Sequence, residues 1–156
     1  DEQLAEAGCS GDDCHGMGLL LGAHGTLIEA PEGVNTGLES TQRFLDRLSE
    51  RLAPRFAHTS VGWLNHTLGG EWTSPDLETA AADMLERGLR RVVYYPFGFL
   101  ADNAETQLEG RVILRGFDAL EPLHLQCLNA WPPFVEHLAK RVMRQVAEPA
   151  RGAAVA

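Results

Sequence analysis

The chain is short of positive charge. Its 13 Lys and Arg stand against 22 Asp and Glu, a formal net charge of −9 over 156 residues. Binding to a phosphate backbone needs clustered cations, so nucleic acid is excluded as a partner. No apolar run approaches the roughly 20 residues that a helix needs to cross a bilayer, and no secretory leader is visible. Three cysteines do not make a disulfide framework, and the compartment expected is a reducing cytoplasm. The glycine-rich segments fit neither the P-loop nor the dinucleotide-binding fingerprint. The Gly-x-Ser-x-Gly elbow of serine hydrolases is absent. The first residue is Asp rather than Met, so a processed N-terminus or a piece of a longer protein is expected.

What is present is alternation. With 44% hydrophobic and 22% charged residues, the chain is long enough for one domain with a sizeable core. Residues 18–23 (GLLLGA) form a short continuous apolar run, which reads as a central buried strand. Residues 57–64, 91–95 and 122–128 read as three further strands. Between them lie helical patterns. Leu38, Thr41, Leu45, Leu48 and Leu52 recur at helical spacing within residues 36–53, and Pro54 stops that helix. Ser74-Pro75 predicts the next helix start, with Ser as N-cap and Pro in the first turn. Leu77, Ala81, Met84 and Leu85 form its buried face and Gly88 its end. A third helix is expected from Asp102 to about residue 115. A last one carries Phe134, Leu138, Val142 and Val146 on its apolar face. The fold predicted is α/β, three-layer α/β/α, with a four-stranded parallel sheet in flavodoxin-like winding and strand order 2-1-3-4. Residues 1–17 are expected to be a poorly ordered N-terminal segment, 18–147 the domain, and 148–156 a flexible tail. Cys9 and Cys14-His15 do not complete a structural zinc set. A free thiol pair or a local disulfide is the expectation there.

Three strand ends carry polar groups: His24, the Asn65-His66 loop, and Asp102-Asn103-Glu105. Right-handed βαβ winding brings them to one rim. Trp63, Trp72, Phe97, Phe99 and Leu100 share those loops. The mix suits a flat apolar ligand handled by a few polar groups. His with Glu could ligate a divalent metal or move protons. Asp102-x-x-Glu105 is also capping-box spacing, so Glu105 could instead fold back on its own helix start.

At four places the chain resembles the C-terminal half of ferrochelatase, which inserts ferrous iron into a porphyrin in haem synthesis. Residues 22–25 (GAHG) are similar to the family's Ser-Ala-His-Gly. Asn65-His66-Thr67-Leu68-Gly69, with Trp72 and Pro75, is similar to its Gln-Ser-Arg-Val-Gly…Trp…Pro. Residues 95–106 (YPFGFLADNAET) are similar to its Pro-x-Ser-Phe-Val-Ser-Asp-His-x-Glu-Thr. Leu128-Asn129 with Pro133-Phe134 is similar to its Leu-Asn…Pro-Phe-Ile. The resemblance implies a chelatase-like fold and a lyase forming metal–nitrogen bonds. It implies catalytic roles for His24 and Glu105, and metal binding by His24, Glu105 and Glu109. It implies a porphyrin lying against Asn65, His66, Trp72, Phe99, Asp102 and Asn103. Porphyrin and a divalent metal are the partners implied, with ferrous iron as substrate rather than cofactor. No C-terminal cysteines stand where some members hold an iron–sulfur cluster.

Two departures stand out. Arg111 and Ile113 occupy positions where the family carries acids, and Asn65-His66-Thr67 replaces Gln-Ser-Arg. The family's two similar halves enclose the porphyrin between them, and only one is present here. A second ferrochelatase-like half or a homodimer is therefore expected to complete the cleft. Two further readings are a short homodimeric chelatase acting on sirohydrochlorin and a non-enzymatic tetrapyrrole or haem carrier with His24 and His66 on the iron.

Overall fold

The structure, a computed structural model, describes residues 2–6, 9, 11–29, 32–66 and 69–147. The expected tail at 148–156, and Thr67 and Leu68 of the Asn-His-Thr-Leu motif, lie outside the described residues. Four strands form one sheet: β1 (Gly18–His24), β2 (His58–Leu64), β3 (Arg91–Tyr95) and β4 (Glu121–His124). All pairings are parallel and the order is β2-β1-β3-β4, as predicted. Five α-helices accompany them: α1 (Glu2–Glu6), α2 (Leu38–Leu52), α3 (Leu77–Glu86), α4 (Gly110–Arg115) and α5 (Pro132–Ala147).

The two faces of β1 show why the sheet is covered on both sides. Successive side chains alternate between faces. Leu19, Leu21 and Ala23 pack into one core with Leu45 of α2, Phe56, Trp63, Val93 and Phe97. Leu20 packs into the other with Leu77, Ala80, Ala81 and Met84 of α3, Val92, Tyr94 and Leu114. A strand buried on both faces has no polar position to spare, hence the unbroken Leu19-Leu20-Leu21 run. On the α3 side Gly62 allows close approach: a Cβ there would lie 2.8 Å from the Leu77 Cα.

Several sequence expectations are corrected. The third helix of the chain, α3, is capped by Asp76, whose side chain accepts from the Thr79 amide at 2.7 Å, and not by Ser74. Pro75 precedes that cap and so lies outside the first turn of the helix. Strand β4 ends at His124 rather than Leu128, although the Leu125 amide still reaches the Tyr94 carbonyl. The apolar face predicted for α5 exists, but no residue of that helix is buried.

Described residues of the N-terminal segment pack on the domain. Leu4, Cys9, Cys14 and Met17 belong to the α2-side core. The Gln3 side chain bridges the Gln126 backbone, accepting from its amide at 2.7 Å and donating to its carbonyl at 3.3 Å. Cys9, Cys14 and Cys127 are buried and none of them forms a disulfide, so the local disulfide alternative does not hold.

Candidate active site

Parallel strands deliver their carboxyl ends to one rim of the sheet. The β1–β2 register pairs His24 with Leu64, so Asn65 and His66 follow immediately beside His24. From β3 the chain folds back on β1: the Gly98 amide donates to the Gly22 carbonyl at 3.1 Å. Only glycine permits this approach, because a Cβ at residue 98 would lie 2.7 Å from that of Ala23. The fold-back sets the Phe99 ring 6.4 Å from the His24 ring, centroid to centroid.

His24 is oriented from behind. Its Nδ1 meets the Gly25 carbonyl, and a carbonyl only accepts, so Nδ1 carries the hydrogen. In the neutral ring Nε2 is then left with a free lone pair facing the rim. That atom lies 3.7 Å from Glu105 Oε2. His66 Nε2 lies 3.9 Å from the same oxygen. One ligand atom from each residue falls within 4.8 Å of the others, the one such group of three among the described residues. Glu105 Oε2 is buried and has no hydrogen-bond partner. A buried carboxylate oxygen without a donor, facing two imidazoles, is a place for a proton or a cation. The His24 side chain is 47% exposed, so the group opens outward.

Glu105 is free to point there because the cap is made by its neighbours. Asn103 Oδ1 accepts from the Thr106 amide at 3.1 Å, and Thr106 Oγ1 accepts from the Asn103 amide at 2.9 Å. The capping box thus sits one residue later than Asp102-x-x-Glu105. Beyond it residues Glu105–Glu109 form a π-helical turn that runs into α4. Such turns are rare and cluster at functional sites.

The other predicted residues divide. Trp72 stands edge-on to His66 at 6.5 Å and donates from Nε1 to the Gly69 carbonyl. Asn65 is held away from the rim: its amide donates to the Thr73 carbonyl at 2.8 Å, and a Cβ on Gly25 would strike its Oδ1. Glu109 is half-buried one turn further on and does not join the group of three. Asp102 is fully engaged. Its Oδ1 accepts from the Cys127 amide at 2.9 Å and from Gln107 at 2.7 Å, and its Oδ2 accepts from Asn129 at 2.8 Å. It ties the loop after β3 to the loop after β4. Burial pushes its carboxyl up, but the bonds from Cys127, Asn129 and Gln107 outweigh this and hold it below the usual range. Burial, and then Asp102, push the Cys127 thiol up to about 12, so it stays neutral at physiological pH.

Asp102→Asn places an amide where two donors converge. It is expected to lower stability by about 1–2 kcal/mol, measured by urea unfolding at neutral pH. A carboxyl depressed by folding stabilises above its unfolded value of 3.8 and loses that contribution as pH falls through the lower folded value. The gap between wild type and variant should therefore be flat from pH 7 to 5 and shrink below about pH 4. A gap unchanged under acid would place the effect elsewhere.

Sequence reasoning named Trp63 and Trp72 but missed the rest of the inner wall. A cavity of about 410 Å³ beside His24 is lined by Trp63, Trp72, Leu27 and Val34, with Thr26, Thr36 and Thr41. Apart from His24 it presents no ionisable side chain, and it suits an uncharged, flat group. Thr26 and Leu27 reach it through an isolated antiparallel bridge between Leu27 and Trp72, beside which the Thr73 amide donates to the Thr26 carbonyl. A larger cavity of about 700 Å³ lies under α1, among Leu4, Phe56, Tyr95 and Trp131, and holds none of the rim residues. The sequence pattern marks Tyr94 only as a strand residue. Its buried hydroxyl has no partner and wedges between Gly22 and Gly110. Burial first, and then nearby negative charge including Glu109 and Glu105, push the phenol well above its usual range.

Comparison with known proteins finds the ferrochelatase family model matching residues 2–146. Coproporphyrin III ferrochelatase of Geobacillus kaustophilus (strain HTA426) is 28% identical over 141 residues, covering 83% of this chain and 42% of the relative. The chain thus spans less than half the length of the relative it matches.

Proposed function

The chain belongs to the ferrochelatase family, and on that premise we propose that it forms one wall of a site that inserts ferrous iron into a porphyrin. The observation that carries the reading is the unpaired Glu105 oxygen 3.7 Å from the free nitrogen of His24. Insertion exchanges two pyrrole protons for one divalent ion. His24 Nε2 takes the two pyrrole protons in turn and passes each to solvent through its 47% exposed side chain, and its Nδ1–H on the Gly25 carbonyl keeps the accepting nitrogen turned to the rim. The Glu105 carboxylate stabilises the imidazolium so formed and attracts the incoming cation. The cavity between Trp63 and Trp72 takes an uncharged edge of the macrocycle. Ferrous iron enters as substrate, and the reading invokes no resident cofactor.

A second wall is needed, because one rim covers only one side of a flat macrocycle. Its supports are the exposed faces. On α5, Val142, Met143 and Val146 are 58%, 66% and 76% exposed. Leu100, Leu108 and Val112 stand out beside the Glu105 turn. Exposed apolar side chains recurring along one helix face support an interaction site there. A second ferrochelatase-like half or a second copy of the chain would cover it.

The test is an absorbance assay with porphyrin and ferrous iron, run on the chain alone and across chain concentrations. Turnover that rises steeply with concentration, or on adding the complementary half, is expected. A stable Soret shift with haem and no turnover in any form would favour a carrier instead. Full turnover from a demonstrated monomer would remove the second wall.

A further inference from the structure

We propose that His66 is a third metal-binding group, which with His24 and Glu105 captures a divalent ion of the iron-to-zinc series before the macrocycle arrives. The inference deepens the chelatase reading of the same rim, but it rests on a separate observation. That observation is convergence: His66 and His24 approach one carboxylate oxygen from two neighbouring strands, at 3.9 and 3.7 Å.

The geometry is close to what an ion requires. Ligand atoms at about 2.0–2.2 Å from a tetrahedral centre lie roughly 3.3–3.6 Å apart. The two separations to Glu105 need to close by only a few tenths of an ångström, and the two imidazoles, whose ligand atoms lie within 4.8 Å of each other, close on the ion by side-chain rotation. The His66 ring is also held. It lies between the His24 ring at 5.1 Å and the Trp72 ring at 6.5 Å. Trp72 is itself fixed through its bond to the Gly69 carbonyl. Both His24 and Glu105 have the features of ligands awaiting a cation. The Nδ1 contact of His24 to a carbonyl is the outer-shell bond that ligating histidines make. The Glu105 oxygen is the buried acceptor that no protein donor satisfies.

The donor set names the class of ion. Two imidazole nitrogens and one carboxylate suit iron, cobalt, nickel and zinc. They fit poorly with magnesium or calcium, which take oxygen ligands. Three protein ligands on one side leave the outward side open. Pyrrole nitrogens could replace them one at a time, so the ion need never be fully stripped of ligands. The competing role for His66 is a ring that merely stacks on the macrocycle, and the two roles differ in what a phenyl group can do. A phenyl ring stacks but cannot ligate.

The experiment is a cobalt titration of the full chain without porphyrin, followed by the visible absorption of the bound ion. One cobalt per chain is expected, displaced by zinc and not by magnesium. His66→Phe and Glu105→Gln should each weaken it by about tenfold or more. Cobalt bound equally well by His66→Phe overturns the proposal, as does a wild-type chain that binds none. If His66→Phe does not fold, imidazole nitrogen resonances of the wild type decide. Zinc should shift those of both His24 and His66, and a shift of His24 alone overturns the proposal. Cobalt bound through His66 in a protein that never inserts metal would defeat the chelatase reading and leave this one standing.

Discussion

Glu105→Gln is expected to lower metal insertion by about a hundredfold or more while changing stability by less than about 1 kcal/mol. The two halves of that expectation have separate causes. Glutamine keeps the shape of the side chain, and no hydrogen bond to Oε2 exists for it to break. The helix start does not depend on residue 105, because Asn103 and Thr106 cap it reciprocally. Removing a partly buried charge whose oxygen no hydrogen bond satisfies can even stabilise slightly. Chemistry is another matter, since the amide neither attracts the cation nor stabilises an imidazolium. His24→Ala should cost a comparable factor. The double variant should lose little more than either single one, because groups acting as a unit are non-additive. The assay belongs on whichever paired form turns over, with urea unfolding alongside it. Retained insertion together with a loss of more than about 2 kcal/mol would make Glu105 a structural residue.

The same turn shows what a sequence can and cannot tell. Asp102, Asn103, Glu105 and Thr106 are all capping types, and both 102/105 and 103/106 have capping-box spacing. Choosing between the two registers needs the bonds themselves. The answer lies partly in β4's loop, where Cys127 and Asn129 claim the Asp102 oxygens. Ser74-Pro75 misled for a similar reason. It has the residue types of a helix start, but Asp76 two residues on does the capping. His66 could be named as polar and near the rim, yet its approach to Glu105 follows from the β1–β2 register. The sheet was legible because its runs are uniformly apolar and its punctuation is strong. The apolar period of α5 was legible too, but a period gives a face and never what covers it.

The N-terminal segment is where a sequence argument and a structural one predict opposite results. Lacking any helical or strand period, residues 1–16 read as dispensable. In the structure their removal should lower stability by roughly 3–6 kcal/mol, from area bookkeeping on the apolar groups lost. Leu4 is 5% exposed, Cys9 1% and Cys14 0%, and all three pack in the core shared with Leu19, Leu21 and Val93. Buried cysteine acts as a small hydrophobe, and its loss adds to that of the leucine. The bridge from Gln3 to the Gln126 backbone goes as well, exposing the strand end after β4. Against a typical net stability of about 5–15 kcal/mol, such a loss brings the domain close to unfolding at ambient temperature. Leu4→Ala is the milder form of the same test. It should cost about 2 kcal/mol, near the low end for leucine, because Leu4 already borders the large cavity under α1. Urea midpoints that stay unchanged in both variants would return the segment to a dispensable role. Midpoints that fall in the predicted order, with the slope reduced in the deletion, would show that these residues complete the α2-side layer of the fold.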